Sequence, residues 1–342
     1  MSVDRGRVPT RTPLPRLPRR LSQLRWSTWR GVFVRSGVSF MDDNCTDWAA
    51  ALTYYTVLAL FPGAIVVIAL VSLVADGPDT VATIVRTARD VVPGSVVDAV
   101  QGPLTDVLAK RGSAKVLLSF GVLGAIWSAA GFVGAFTRAS NAIYGVPEGR
   151  KWYVLRPLQI GLTIVSLILL AAVALGLVVS GPVARAVGRA LHLGTSTMTA
   201  WQVGRWPLFV LIAVVLLSLL FWIAPNVQQP RLRWLTVGGV VALLAWLVVS
   251  IGFGLYVANF ASYDATYGSL GAIVVFLVWL YLSNCALMFG VEVNAELARG
   301  RALQAGRTIE KGESVLPPRA STPAAQDEVA QEISAEDAAV EQ

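Results

Sequence analysis

Six apolar runs, none of them containing a charged residue, decide what this chain can fold into. They cover residues 48–75, 116–137, 158–180, 206–224, 234–257 and 267–291. A helix needs roughly 20 mostly apolar residues to cross a hydrocarbon core about 30 Å thick, and each run reaches that length or comes within a residue or two of it. Inside lipid the backbone must satisfy its own hydrogen bonds, which leaves only helices and closed barrels. The runs are continuous rather than alternating with period two, and that selects helices. The expected fold is an all-α membrane protein built as a six-transmembrane-helix bundle.

Charge supports the same class. Charged residues make up 14% of the 342-residue chain, against about 25% in a soluble domain. The net charge of +7 is unevenly placed: nine arginines lie between Arg5 and Arg35, whereas the segment after Glu310 is mainly acidic. Basic residues beside membrane spans set topology and meet anionic lipid, and no folded basic module points to nucleic acid. The first run is too long for a signal-peptide core and reads as a retained span. Cys45 and Cys285 form no C-x-x-C and read as buried thiols.

Loop charge orients the bundle. The N-terminal arm, the loop with Arg138, Arg150, Lys151 and Arg156, the loop with Arg231 and Arg233, and the segment after the last run are all basic. With six spans they share one side. The other side carries a balanced segment at 76–115, three arginines in 181–205, and only Asp264 in 258–266. The positive-inside bias therefore places both termini in the cytoplasm of a cytoplasmic (inner) membrane protein.

Three regions follow: a disordered basic arm over 1–24, a membrane domain over 25–311, and a disordered acidic tail over 312–342. Trp26, Trp29, Phe33 and Phe40 recur at helical spacing among arginines, which predicts an amphipathic helix. It either lies in the cytoplasmic interface or packs on the bundle. Two apolar stripes, Val81 to Val91 and Val96 to Leu108, are separated by Pro93-Gly94 and predict two short outer amphipathic helices.

Several polar positions could carry function. Pro62 lies inside the first run close to Tyr54 and Tyr55, where a proline frees a backbone carbonyl; such a break can line a path or simply be tolerated. Trp127 and Ser128 sit within a second run rich in small residues, with Arg138, Asn141 and Tyr144 at its inner end. Arg138 also suits an interface anchor. The turn from Asn259 through Tyr263, Asp264 and Tyr267 is rich in polar and aromatic residues, and suits either an interfacial belt or headgroup recognition. Asp47, Glu292, Asn294 and Glu296 form an inner-end polar cluster. Glu292 and Glu296 share a helix face and Asn294 points elsewhere, as a solvated helix end or an inter-helix hydrogen bond.

The chemistry of an enzyme is not announced. His192 is the only histidine, and P-loop, G-x-S-x-G and H-E-x-x-H patterns are all missing from the sequence. Neither a cofactor nor a metal is expected.

The segments Ala49-Ala50-Ala51-Leu52-Thr53-Tyr54-Tyr55 with Leu60-Phe61-Pro62, Trp127-Ser128, Asn141-Ala142-Ile143-Tyr144-Gly145-Val146, Pro225-Asn226, Tyr256 to Phe260, Tyr267 to Gly271, and Glu292-Val293-Asn294-Ala295-Glu296 resemble the YihY/BrkB family. The likeness covers about residues 35–300 and touches all six runs. It implies a six-span inner-membrane protein tied to envelope integrity, without an assigned biochemical activity. Some members carry the label ribonuclease BN, which nothing in these residues supports. The resulting expectation is transport or flipping of a lipid or amphipathic envelope component, through a path lined by Tyr54, Tyr55, Pro62, Trp127, Ser128, Asn141, Tyr144, Asn259, Tyr263, Asp264 and Tyr267. The alternatives are a scaffold binding partners through the outer helices and, remotely, a membrane-bound ribonuclease. Membrane lipids, anionic at the arginine-rich face, are the expected partners; nucleic acid is not, and a homo-oligomer is compatible with the pattern.

Overall fold

The structure, a computed structural model, describes residues 18, 21–74, 114–178, 195–229, 236–259, 264–309 and 313–320. After a single 3-10 turn at Leu21–Gln23, seven α-helices follow among these residues. They are α1 (Trp26–Asp42), α2 (Cys45–Val74), α3 (Ala114–Ile143), α4 (Trp152–Val178), α5 (Thr195–Ile223), α6 (Val237–Asn259) and α7 (Asp264–Gln304).

Among the described residues four stretches are long and apolar enough to cross a membrane: Trp152–Val173, Ala200–Ile223, Val237–Val257 and Ile273–Gln304. They coincide with the last four expected spans. The first two expected spans fall on α2 and α3, each 30 residues long. The two outer amphipathic helices lie outside the described residues.

The helices close a ring in the order α2, α3, α4, α5, α6, α7 and back to α2. Small residues set the closest approaches, as they do where lipid supplies no hydrophobic drive between helices. A Cβ at Gly238 of α6 would collide with the Gly290 carbonyl of α7, and one at Gly290 would sit 2.6 Å from Ala242 Cβ. Between α2 and α3, a Cβ at Gly131 would meet the Tyr55 ring at 2.7 Å. Large apolar side chains such as Ile168, Leu211, Val248 and Leu255 face outward from α4, α5 and α6, where a soluble protein would bury them.

Helix α7 has 41 residues, about 60 Å of helix against a hydrocarbon core of about 30 Å. Its C-terminal part forms the seat for α1. Val32 is fully buried there with Leu24, Val293 and Leu297, and Gly300 lets Thr28 and Val32 come close. The other face of α1 leaves Trp26, Phe33, Val34, Val38 and Met41 exposed. The helix therefore packs on the bundle with one face while presenting an apolar stripe outward with the other. Asn44, at φ 51°, turns the chain from α1 into α2 in the left-handed region that asparagine tolerates.

Candidate functional site

Two polar clusters occupy one end of the bundle, where α1, the α3–α4 loop, the α5–α6 loop and the end of α7 meet. The first is centred on Glu292. Position 292 sits two turns beyond Asn284 and one turn before Glu296 on a single face of α7, so the three side chains form a line. Helix α2 faces that line. Asn284 Nδ2 donates to Thr53 Oγ1 at 3.1 Å, and Cys45 Sγ lies 3.8 Å from Glu292 Oε2 as its donor. Beyond them Arg35 Nε of α1 pairs with Glu296 Oε2 at 2.5 Å, and Arg299 reaches Glu296 Oε1 at 3.8 Å.

Glu292 is 1% exposed and Glu296 is also buried. A solvated helix end, one of the two sequence readings, does not describe them; the inter-helix hydrogen bond does. Asn294 turns to α6, where its Oδ1 accepts the Gly238 N–H at 2.8 Å, one of the donors a helix start leaves free. In the α1–α2 turn, burial raises the Asp43 carboxyl above its ordinary range. The charges of Asp42 and Glu296 add to that, while Arg299 and a hydrogen bond with Glu292 oppose it. The Tyr144 hydroxyl is pushed up by burial and then by Glu292. Arg35 Nη2, Ser36 Oγ and Asn294 Nδ2 are buried on this side without a hydrogen-bond partner.

The second cluster is centred on Asn226, which is fully buried directly after α5. Its backbone N–H donates to Asn141 Oδ1 at 2.7 Å, and its Nδ2 donates to the carbonyls of Pro147 and Ala320 at 2.9 and 2.8 Å. The Ala320 N–H returns a bond to Asn226 Oδ1 at 3.1 Å. Asn141 Nδ2 donates to Glu148 Oε2 at 3.0 Å, and Arg150 holds Glu148 with Nε and Nη2 at 2.7 Å each. Burial by itself would raise Glu148. The hydrogen bonds and charge of Arg150, helped by Asn141, outweigh it and hold the carboxyl below its ordinary range.

Cations also close the end of α5. Arg150 donates to the carbonyls of Ile223 and Ala224, Arg319 to those of Trp222, Ile223 and Val227, and Gln229 to that of Phe221. A helix C-terminus offers such unpaired carbonyls and a partial negative charge, so guanidinium groups belong there. Residues 313–320 are held here by an antiparallel bridge between Val227 and Pro318 and by Arg319, whose guanidinium also lies 5.1 Å from the centroid of the Trp222 ring. Composition had assigned them to a disordered tail; the carbonyls left open after α5 give this segment its partners.

The sequence-derived residues separate in space. Glu292, Glu296 and Tyr144 meet in the first cluster, Asn294 turns from it to α6, and Asn141 lies in the second. Tyr54 is 60% and Trp127 85% exposed on the outside of the bundle, Tyr55 and Ser128 are half-buried, and Asp47 and Arg138 are exposed. Pro62, Asn259, Asp264 and Tyr267 lie in α2, α6 and α7, with side chains outside the described set, and Tyr263 lies outside the described residues. Sequence reasoning passed over Asn284, Glu148 and Arg319 and read Arg150 only as a topology charge. An amide alone in an apolar run was the available signal for Asn284.

A family model described as virulence factor BrkB matches residues 38–313. YfkH of Bacillus subtilis, named as ribonuclease-like, is 35% identical over 259 residues, which are 75% of this chain and 90% of that protein. A UPF0761 membrane protein of Rhodospirillum centenum is 33% identical over 295 residues, 84% of this chain and 61% of the relative. Another, from Alkalilimnicola ehrlichii, is 32% identical over 279 residues, 78% of this chain and 59% of the relative. The chain therefore spans about three fifths of the length of these two UPF0761 relatives. No solved structure matches.

Proposed function

The chain belongs to the virulence factor BrkB family of membrane proteins, and on that premise we propose that it carries a lipid or amphipathic envelope component across the cytoplasmic membrane and so serves envelope integrity. The observation behind this reading is the polar seam between α2 and α7. Thr53 with Asn284 and Cys45 with Glu292 line the α2–α7 pair from its interior to its end, and Arg35 of α1 with Glu296 continues the line past the start of α2. From position 284 to 296 that seam runs about 18 Å, more than half of a hydrocarbon core. Polar side chains kept inside a membrane bundle are expensive unless they serve a passage or a bound group. A headgroup moving along such a seam exchanges water for hydroxyl, amide and carboxyl partners while its acyl chains stay in hydrocarbon.

Six spans, both termini in the cytoplasm, and membrane lipid as the surrounding partner complete the reading, with the arginine-rich end facing anionic headgroups. Nucleic acid has no part in it, and a homo-oligomer is the assembly to look for. A scaffold role remains attached to the expected outer helices at 76–115. For the nuclease suggested by one relative's name, no three His, Cys, Asp or Glu side chains come together as metal ligands among the described residues.

The test uses purified full-length protein in liposomes carrying a headgroup-labelled lipid. A membrane-impermeant reductant should reach label from both leaflets when protein is present and only the outer leaflet when it is absent. Equal plateaus in the two preparations overturn the reading.

A further inference from the structure

The geometry points to a phosphate-headgroup site for an anionic membrane lipid on the outer side of the bundle, formed by Arg138, Arg156 and Gln159 where α3 meets α4. These residues lie apart from the α2–α7 seam. Arg138 stands in the last two turns of α3, and Arg156 and Gln159 in the first three turns of α4, so both helices bring them to the bundle end that carries the 144–151 loop. Gly134 marks the point of convergence: a Cβ added there would lie 3.6 Å from Arg138 Nη1 and 3.7 Å from Gln159 Nε2. Arg156 Nη1 reaches Gln159 Oε1 at 3.5 Å. Gln159 is buried at 4% exposure, while both arginines are exposed.

The chemistry of this group is one-sided. Arginine offers only donors, and the one acceptor in the cluster, Gln159 Oε1, is already faced by Arg156. Among the described residues Glu296, Glu148 and Glu313 pair with Arg35, Arg150, Arg299 and Arg307, and none of these ion pairs includes Arg138 or Arg156. Two cations brought to one neutral amide with no carboxylate paired to either favour an anion held between them. A guanidinium pair suits a phosphate, whose oxygens accept forked hydrogen bonds.

The surroundings select lipid over a soluble anion. Trp152 is 77% exposed and Tyr153 54% exposed, one turn or less from Arg156. Lys151 Nζ lies over the Tyr153 ring at 5.9 Å. Outward-facing Ile160, Ile164 and Ile168 continue α4 away from the loop. Aromatics at the interface, cations above them and an apolar wall below match the layers of a phospholipid. Arginines that merely snorkel to separate headgroups have no reason to converge from two helices on Gly134 beside a buried glutamine.

The inference rests on the membrane reading of the chain but not on transport, so retention of a lipid without any transbilayer movement leaves it standing. The experiment is native mass spectrometry of the full-length protein released from detergent with phosphatidylglycerol. Diacylglycerol, which lacks phosphate, serves as comparator. Wild type should retain phosphatidylglycerol and not diacylglycerol. R138Q/R156Q should lose about tenfold in retention, as expected when charge-assisted bonds to phosphate are removed. R138K/R156K should recover part of it, and R30Q, which changes an exposed arginine on α1, should match wild type. If the double variant fails to fold, R138Q alone is read in its place. Unchanged retention in the glutamine variants, an equal loss in R30Q, or displacement of the lipid by millimolar inorganic phosphate overturns the proposal.

Discussion

The Asn226 and Glu292 clusters share one end of the bundle and the same kinds of side chain, yet they reach opposite states. Around Asn226 charge and hydrogen bonding are matched, with Trp222 Nε1 the nearby buried donor left without a partner: one carboxylate faces one guanidinium, two arginines close a helix end, and the amide is bonded on both its atoms. Around Glu292 carboxyl groups outnumber the cations that touch them, a thiol at 3.8 Å is the hydrogen bond to Glu292 Oε2, and the buried Arg35 Nη2 and Ser36 Oγ on α1 lack partners. A satisfied network rigidifies, whereas a partly satisfied one costs stability that a working site can justify. On the proposed transport reading, the Asn226 cluster is architecture and the Glu292 cluster is machinery.

That contrast can be broken by substitution. Asn226→Ala should have the largest effect, a loss of about 3 kcal/mol, because it removes three side-chain hydrogen bonds that tie the α3–α4 loop and the 313–320 segment to the end of α5. Thermal unfolding in detergent measures it, and a change below about 1 kcal/mol would remove the structural role. Arg319→Ala should cost about 1–2 kcal/mol by uncapping α5. It should also release residues 313–320 to limited proteolysis, and a tail that stays protected contradicts the docking described above.

Glu292→Gln keeps the shape and should behave differently. Stability should stay within about 1 kcal/mol of wild type, while lipid movement in the liposome assay slows roughly tenfold. Loss of stability with unchanged movement would turn the Glu292 cluster into architecture as well.

The smallest effects are in pH dependence, and they carry opposite signs. Glu148 is lowered on folding, so its contribution is present above its ordinary value of 4.5 and is lost as pH falls through the lower folded value. Asp43 is raised, so its contribution is complete below its ordinary value of 3.8 and is lost as pH rises through the higher folded value. In melting temperature against pH, Glu148→Gln should flatten the acid side and Asp43→Asn the less acid side. Identical profiles for the two variants would abolish the distinction.

Much of this was legible in the residues. The heptad-like return of Trp26, Trp29, Phe33 and Phe40 marked α1, and the spacing of Glu292 and Glu296 put both carboxylates on one face. Partners were not legible, because they come from distant sequence. Arg35 meets Glu296 across 261 residues, Thr53 meets Asn284 across 231, and Asn226 meets Ala320 across 94. Arg150 looked like a loop charge because nothing local shows that its side chain folds under the end of α5. The tail looked disordered because its composition is poor in apolar residues, while what holds 313–320 is hydrogen bonding by its backbone and by Arg319 to the end of α5 and Asn226.

The sequence alone determined an all-helical membrane chain, since uninterrupted apolar runs leave the backbone no other way to satisfy itself in lipid. Only the tertiary structure decided which polar side chains are spent on holding the bundle and which are left short of partners. Burial and hydrogen bonding are properties of neighbours in space, and a charged or amide residue carries the same letter in either setting.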